Sequence, residues 1–121
     1  MSRGDDSVPG IIQMQEAFCL ERGAKFLPTF PMSKLGFALS TEGQLPINGL
    51  RHPVEGNASG WYIWCGEAFS SAPDFFAPMH ANHLFDTHPQ LIKLLGLPPG
   101  YRFLFAYESL DIWFDPSLLA I

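Results

Sequence analysis

The histidine at position 52 is the first candidate for chemistry in this sequence. His52 directly follows Arg51, and an imidazole can act as a general base near neutral pH. A small hydrolase or lyase could use the two side chains together. However, no motif places a serine or cysteine nucleophile near them, so catalysis is the weaker interpretation of this pair.

A second group of histidines could bind a metal ion. His80 and His83 are three residues apart in a predicted helix, followed by Asp86 and His88. Side chains at i and i+3 lie on one helix face and could share a metal. No cysteine or glutamate joins them at a ligand spacing, and the sequence contains neither an HExxH nor a CxxC motif. We therefore predict no metal and no cofactor.

The aromatic segment 61–65 could form a recognition surface. Its residues favour a β-strand, in which successive side chains point to opposite faces. Trp61 and Ile63 then share one face with Cys65, whereas Tyr62 and Trp64 share the other. The first face is predicted to be core, and the second is either covered by helices or used to bind a partner, because Trp and Tyr concentrate binding energy in interfaces.

The segment 41–60 is rich in turn dipeptides and prolines, which predicts a long loop. Long loops often carry function, and this one precedes the aromatic strand. The predicted binding residues are six polar and aromatic side chains of the loop and strand: Asn48, Arg51, His52, Glu55, Tyr62 and Trp64. Alternatively, Arg51 pairs with a carboxylate such as Asp74 or Asp111 and only fastens the loop.

The elements that position these residues predict an α+β fold. Helical periodicity over 11–22 places Ile11, Met14 and Phe18 on the core side. The remaining elements are strands at 35–40, 61–65, 101–107 and 110–114 and helical segments at 78–86 and 89–95. Because strands and helices do not alternate strictly, we expect a mostly antiparallel sheet of about four to five strands with helices packed on it. Residues 1–10 are predicted to be a flexible tail and 11–121 a single domain.

Composition excludes several classes of function. The 121 residues are 47% hydrophobic and only 16% charged, with a formal net charge of −5. No basic stripe suits nucleic acid, and no apolar run is long enough for a membrane span. The N-terminal residues lack the pattern of a signal peptide, so we expect a cytoplasmic protein in which Cys19 and Cys65 are reduced. An acidic chain suits a basic protein partner.

Four segments together resemble a bacterial polymorphic-toxin immunity family, the one numbered thirty-three. The similarity covers residues of about 45–119 and is carried by the stretches PINGLRHP (46–53), GWYIWCGE (60–67), PDFFAPMH (73–80) with His83-Leu84, and LLGLPPGYRFL (94–104) with Trp113-Phe114-Asp115. The resemblance implies a small non-enzymatic protein that binds and neutralises a cognate toxin inside the producing bacterium. A basic nuclease is one toxin class that an acidic, aromatic surface would suit. A homodimeric ligand-binding module is the further alternative to immunity, beside the small hydrolase or lyase.

Overall fold

The computed structural model describes residues 3–70, 72 and 74–120, with side chains from residue 10 onward. Its helices and strands are α1 (Arg3–Arg22), β1 (Lys34–Phe37), β2 (Ile47–Arg51), β3 (Ala58–Cys65), β4 (Ala77–His80), α2 (Ala81–Thr87), β5 (Tyr101–Ala106) and β6 (Ser109–Phe114). Three short 3-10 helices span Leu39–Thr41, Pro89–Gly96 and Pro116–Leu119. The α+β class predicted from the sequence is confirmed.

The chain divides into two compact units. A helical unit combines the described residues up to Ser33 with His80–Pro98, and a sheet unit combines Lys34–Met79 with Pro99–Ile121. That residues 11–121 form one domain and that residues 1–10 are flexible both stay predictions. None of the helices in the described part of the chain has the length and apolar character of a membrane-spanning segment.

The sheet has six strands in the order β4-β1-β3-β2-β5-β6, one more than the upper end of the predicted range. β2 pairs antiparallel with both β3 and β5, and β5 pairs antiparallel with β6. β1 runs parallel to β3, which makes the sheet mixed. The sheet nevertheless remains mostly antiparallel, as the element order predicts.

The prediction of a long loop over 41–60 is wrong, because the segment contains the central strand β2. Gly49 and Asn48 are poor strand formers, but the packing requires a glycine at position 49. A Cβ at Gly49 would collide with the ring of Phe103, its partner residue on β5. The Phe103 ring thus occupies the space over the glycine, and tertiary contact overrides the low intrinsic propensity.

Strand pairing gives the sheet two chemically different faces. The core face carries the odd-numbered residues of β2, β3 and β5, including the buried Trp61, Ile63 and Phe103. The opposite face, called the recognition face below, carries their even-numbered residues, including Tyr62 and Trp64. The predicted alternation along β3 is therefore confirmed.

In the helical unit, the predicted buried face of α1 is correct at Phe18 and wrong at Met14. Phe18 is buried together with Gln15 and Cys19, whereas Met14, predicted as core, is 46% exposed. The helix also begins at Arg3 rather than near position 11. In the same unit α2 begins at Ala81, because residues from 77 to 80 form the edge strand β4 instead of the predicted first helical turn.

Gln15 is buried because its amide completes a backbone hydrogen-bond pair. Its Nε2 donates to the Thr29 carbonyl oxygen at 3.1 Å, and the Thr29 amide donates to its Oε1 at 3.0 Å. The Thr29 hydroxyl in turn donates to the Leu95 carbonyl oxygen at 2.6 Å. A buried polar group is tolerated when its hydrogen bonds are satisfied, and hydropathy periodicity cannot register that condition.

Candidate functional site: an aromatic groove on the sheet

A cavity of about 560 Å³ opens in the sheet unit beside β1, β2 and β3. Tyr62, Phe69 and Phe76 contribute aromatic rings to its lining, and Leu50 and Pro53 contribute aliphatic surface. We call this cavity the aromatic groove. Its volume lies within the range of sites that take a small ligand or a large side chain.

The segment that follows β3 supplies two of the rings. Phe76 contacts Tyr62 edge to face with centroids 5.1 Å apart, and Phe69 contacts Trp64 in the same geometry at 5.1 Å. Phe75 and Phe76 also meet edge to face, at 4.9 Å. Such tilted pairs are favourable because the positive ring edge meets the negative ring face. The cluster holds the Phe69 and Tyr62 rings in place although both are substantially exposed.

Glycine makes room for the Tyr62 ring on the neighbouring strand. Gly36 pairs with Tyr62 across β1 and β3, and a Cβ there would lie 2.8 Å from Tyr62 Cδ2 and 3.2 Å from Phe76 Cβ. Those distances are well inside van der Waals contact. The absence of a side chain at Gly36 therefore lets the Tyr62 ring lie along the sheet beside the groove.

His52 lies at the groove with one ring nitrogen already engaged. Its Nδ1 is 3.0 Å from the Leu118 carbonyl oxygen, and a carbonyl can only accept, so Nδ1 carries the proton of that bond. In the neutral ring, Nε2 is then the acceptor. The ring also meets Tyr62 edge to face at 5.6 Å.

A glycine at position 60 fixes the backbone of His52. The His52 amide donates to the Gly60 carbonyl oxygen at 2.8 Å, and Gly60 adopts a positive φ of 90°. A Cβ at Gly60 would collide with the carbonyl oxygen of His52. Only glycine permits this close approach in this conformation, so the position of the histidine depends on it.

Two opposite charges also line the groove. Glu55 lies in a tight turn that pairs its backbone with Ala58, through bonds of 3.1 and 2.9 Å, and its side chain is exposed. Lys34, at the start of β1, donates its amide to the Asn57 carbonyl oxygen at 2.8 Å. Among the described residues, no ion pair or side-chain hydrogen bond engages either charged group, so both are available to a ligand.

Arg51 does not belong to this surface, contrary to the predicted binding set. It is 1% exposed and lies on the core face, where its Nε donates to the Ser59 carbonyl oxygen at 2.8 Å. Its guanidinium also lies 5.5 Å from the centre of the Trp61 ring. Because Arg51 and His52 are adjacent on an extended chain, they point to opposite faces and cannot meet one substrate. This geometry disfavours the hydrolase or lyase alternative.

The alternative prediction pairs Arg51 with a side-chain carboxylate. The Arg51 Nε instead donates to a backbone carbonyl oxygen. Asp111 lies opposite Leu104 in the β5–β6 pair and therefore belongs to the recognition face. The sheet thus separates Arg51 from Asp111. The interior position of Arg51 still agrees with the idea that it fastens this part of the chain.

Two further residues of the predicted set have supporting positions. The Asn48 side-chain amide lies within hydrogen-bonding distance of three backbone carbonyls, closest to Gly66 at 2.8 Å and Pro46 at 3.2 Å. Trp64 is only 5% exposed and lies under Phe69. Of the six predicted residues, the structure brings three together at the groove: His52, Glu55 and Tyr62.

Sequence reasoning missed Phe69, Phe76 and Lys34. Phe76 lies in one of the segments that carry the family resemblance, but its local pattern does not indicate that this segment packs against β3. It also missed Trp113, which lies on the recognition face opposite Arg102 and is 42% exposed. Arg102 stacks on Trp113 at 5.6 Å and pairs with Asp115 at 3.1 Å.

The sheet unit carries most of the acidic excess of the chain. Its formal acidic residues are Glu42, Glu55, Glu67, Asp74, Glu108, Asp111 and Asp115, and its basic residues are Lys34, Arg51 and Arg102. Arg51 is buried and Arg102 is paired with Asp115. Lys34 is therefore the basic residue of this unit whose side chain is neither buried nor in a described ion pair. The lining of the groove itself carries one acid, Glu55, and one base, Lys34, so the negative charge that would favour a cationic ligand belongs to the sheet unit as a whole.

Histidines outside the groove do not gather ligands. His80 and His83 are exposed, and among the described residues no group of three or more His, Cys, Asp or Glu side chains could hold a metal ion. That the purified protein contains no metal stays a prediction.

These features define a small acidic α+β protein with a polar-rimmed aromatic groove on one sheet face. A sequence model of the Imm33-like domain matches residues 14–115, most of the chain. The chain therefore belongs to the Imm33-like domain family, and the resemblance to the immunity family is confirmed. No curated protein and no solved structure gives a significant match.

Proposed function

We propose that this protein is a non-enzymatic immunity protein that binds and neutralises a cognate toxin in the cytoplasm of the bacterium that makes both. Its membership of the Imm33-like family supports a role of this kind. The observation that carries the proposal is the exposure of three large aromatic side chains on one sheet face: Tyr62 is 38% exposed, Phe69 58% and Trp113 42%.

Exposed aromatic side chains at fixed positions suit a protein interface. Each has few rotatable bonds, so little entropy is lost when a partner covers it. The ring contacts of Tyr62 with Phe76, and of Phe69 with Trp64, restrict the side chains further. Anchors of this type lose at least about 2 kcal/mol of binding free energy when truncated, which weakens the complex roughly thirtyfold.

The acidic excess of the sheet unit adds a preference for partners. Glu55 lines the groove together with Tyr62 and Phe69, and Asp111 lies on the same sheet face, so a basic toxin would be attracted by them. Complementary charge chiefly accelerates association, which benefits a protein that must capture a toxin before it acts. The affinity should accordingly fall as salt screens the charges.

The experiment is a protection assay with the toxin domain encoded beside this gene. The toxin is induced in a sensitive bacterial strain that also expresses this protein or a variant, and survival is counted. The double variant Tyr62→Ala/Phe69→Ala should lose protection and bind the purified toxin at least about thirtyfold more weakly. Leu20→Ala is the matched control, since Leu20 is 78% exposed on α1, in the helical unit.

Folding and association are checked separately. Circular dichroism should show the double variant folded, because both side chains are partly exposed and their removal opens no buried cavity. Light scattering of the mixture should show a complex of toxin and immunity protein. Full protection by the double variant, or no protection by the unaltered protein against that toxin, would refute the respective parts of the proposal.

A further inference from the structure

Resting on the proposed function, we infer that the aromatic groove receives an arginine side chain of the toxin. The groove combines aromatic rings, one acidic residue, Glu55, and a histidine acceptor in one cavity of about 560 Å³. An arginine on the toxin surface would enter this cavity with its stem against apolar surface and its guanidinium among the rings.

The apolar lining matches the shape of an arginine. Leu50 and Pro53 provide surface for its three methylene groups, as long cationic side chains commonly cover apolar contacts with their stems. Tyr62 and Phe76 present rings to the same cavity, and a planar guanidinium stacks favourably on aromatic faces. The same chain already shows this contact, since Arg102 lies over the Trp113 ring at 5.6 Å.

The polar lining matches its hydrogen-bonding capacity. A guanidinium has five donors and no acceptor, so it needs acceptors around it. The Glu55 carboxylate provides two acceptor oxygens, and the neutral form of His52 provides Nε2 because its Nδ1 proton is engaged by the Leu118 carbonyl oxygen. Both arginines of the sheet unit are held elsewhere, Arg51 inside the core face and Arg102 by Asp115.

The positive charge of Lys34 disfavours an arginine in the groove, so substitutions at Lys34 and Glu55 have opposite predicted effects on binding. Lys34 lines the same groove, and its positive charge would repel an incoming guanidinium. For a cationic occupant, removing the Glu55 charge must weaken binding and removing the Lys34 charge must strengthen it. For an acidic occupant both signs reverse, and for a purely apolar occupant neither substitution matters.

The test uses a small probe and needs no toxin. Nα-acetyl-L-argininamide is titrated into the isotope-labelled protein, and amide chemical shifts are followed by NMR at low salt. Saturable shifts should be centred on Tyr62 and Glu55, with a Kd of about 1 mM for a ligand of this size. The matched probe is Nα-acetyl-L-citrullinamide, which keeps the shape and lacks the charge, and it should bind at least about fivefold more weakly.

Variants provide the sign-specific readout. Glu55→Gln should weaken the arginine probe about threefold to fivefold, and Lys34→Gln should strengthen it about twofold, as for partly exposed charge pairs. Glu21→Gln is the control, because it removes an exposed acid on α1, in the helical unit. Equal binding of the citrulline probe, shifts that spread over the surface without saturating, or reversed signs in the two variants would overturn the inference.

Failure of this inference is distinguishable from failure of the proposed function. If the arginine probe does not bind but Tyr62→Ala/Phe69→Ala abolishes protection, the groove has another occupant and the immunity function stands. If the probe binds as described and the protein gives no protection, the immunity function fails while the chemistry of the groove stands. The probe titration therefore tests the arginine site, and the protection assay tests the immunity function.

Discussion

Replacing Arg51 by alanine should destabilise the protein severely, and it separates an internal role from a surface role for this residue. Arg51 is 1% exposed, so the substitution removes a charged hydrogen bond to Ser59, leaves that carbonyl without this donor, and opens a cavity beside Trp61. A hydrogen bond from a charged donor contributes about 1.5–3 kcal/mol, and an unsatisfied buried acceptor costs a further 1–3 kcal/mol or so. We expect a loss of about 3–5 kcal/mol in the free energy of unfolding, with the cavity adding to it.

For a chain of this size, that loss corresponds to a melting temperature lower by roughly 10–20 °C. The assay is thermal unfolding followed by circular dichroism, together with urea unfolding at 25 °C to obtain the free energy directly. Lys25→Ala is the matched control, because it removes an exposed cation and should change stability by less than about 0.5 kcal/mol. A melting temperature within about 2 °C of the unaltered protein, combined with weaker toxin binding, would refute the internal role and restore Arg51 to the surface.

Three further predictions concern the sheet unit. Gly49→Ala should destabilise the protein by about 2–3 kcal/mol in urea unfolding, because the new methyl group collides with the Phe103 ring; an unchanged midpoint would contradict the register of β2 and β5. Hydrogen bonds from Ser117 and then the nearby guanidinium lower the pKa of Asp115, so its contribution to stability is present above the ordinary carboxyl pKa and is lost as pH falls through the lowered value. Asp115→Asn should therefore be less stable than the unaltered protein at pH 6 and converge with it at about pH 2, and a constant difference would speak against the linkage. Burial raises the pKa of the Cys65 thiol, so iodoacetamide should modify it at pH 8 far more slowly in the folded protein than in urea, as mass spectrometry of the peptide would show.

Local pattern was enough to predict β5, β6 and the two faces of β3. Alternation of apolar and aromatic residues over 61–65 gives the correct sides for Trp61 and Tyr62, since a strand has a strict period of two. The last two strands were likewise predicted within one residue of their ends. Such elements carry their signal in their own composition, which is why single-sequence reasoning reaches them.

The elements that were missed depend on contacts far away in the sequence. Gly49 belongs in a central strand only because Phe103 covers it, and Gln15 belongs in the interior only because Thr29 satisfies its amide. Neither condition is visible at the position itself. The groove was predicted only in part for the same reason. His52 and Tyr62 were predicted, but no local pattern indicates that the segment after β3 brings Phe69 to the groove.

The placement of Arg51 and His52 on opposite faces has a consequence for how this sheet can change. Substitutions at Tyr62, His52 or Glu55 alter the groove while the core face, held by Arg51 and Trp61, keeps its packing. Large energetic effects of mutation concentrate at buried positions, whereas exposed positions usually tolerate replacement. Under the proposed immunity function, the contact surface must vary to match one toxin and ignore others while the fold stays stable. Strand alternation supplies that separation along β2 and β3, whereas the charges proposed to select the partner are exposed, Glu55 in the turn between these strands and Lys34 at the start of β1.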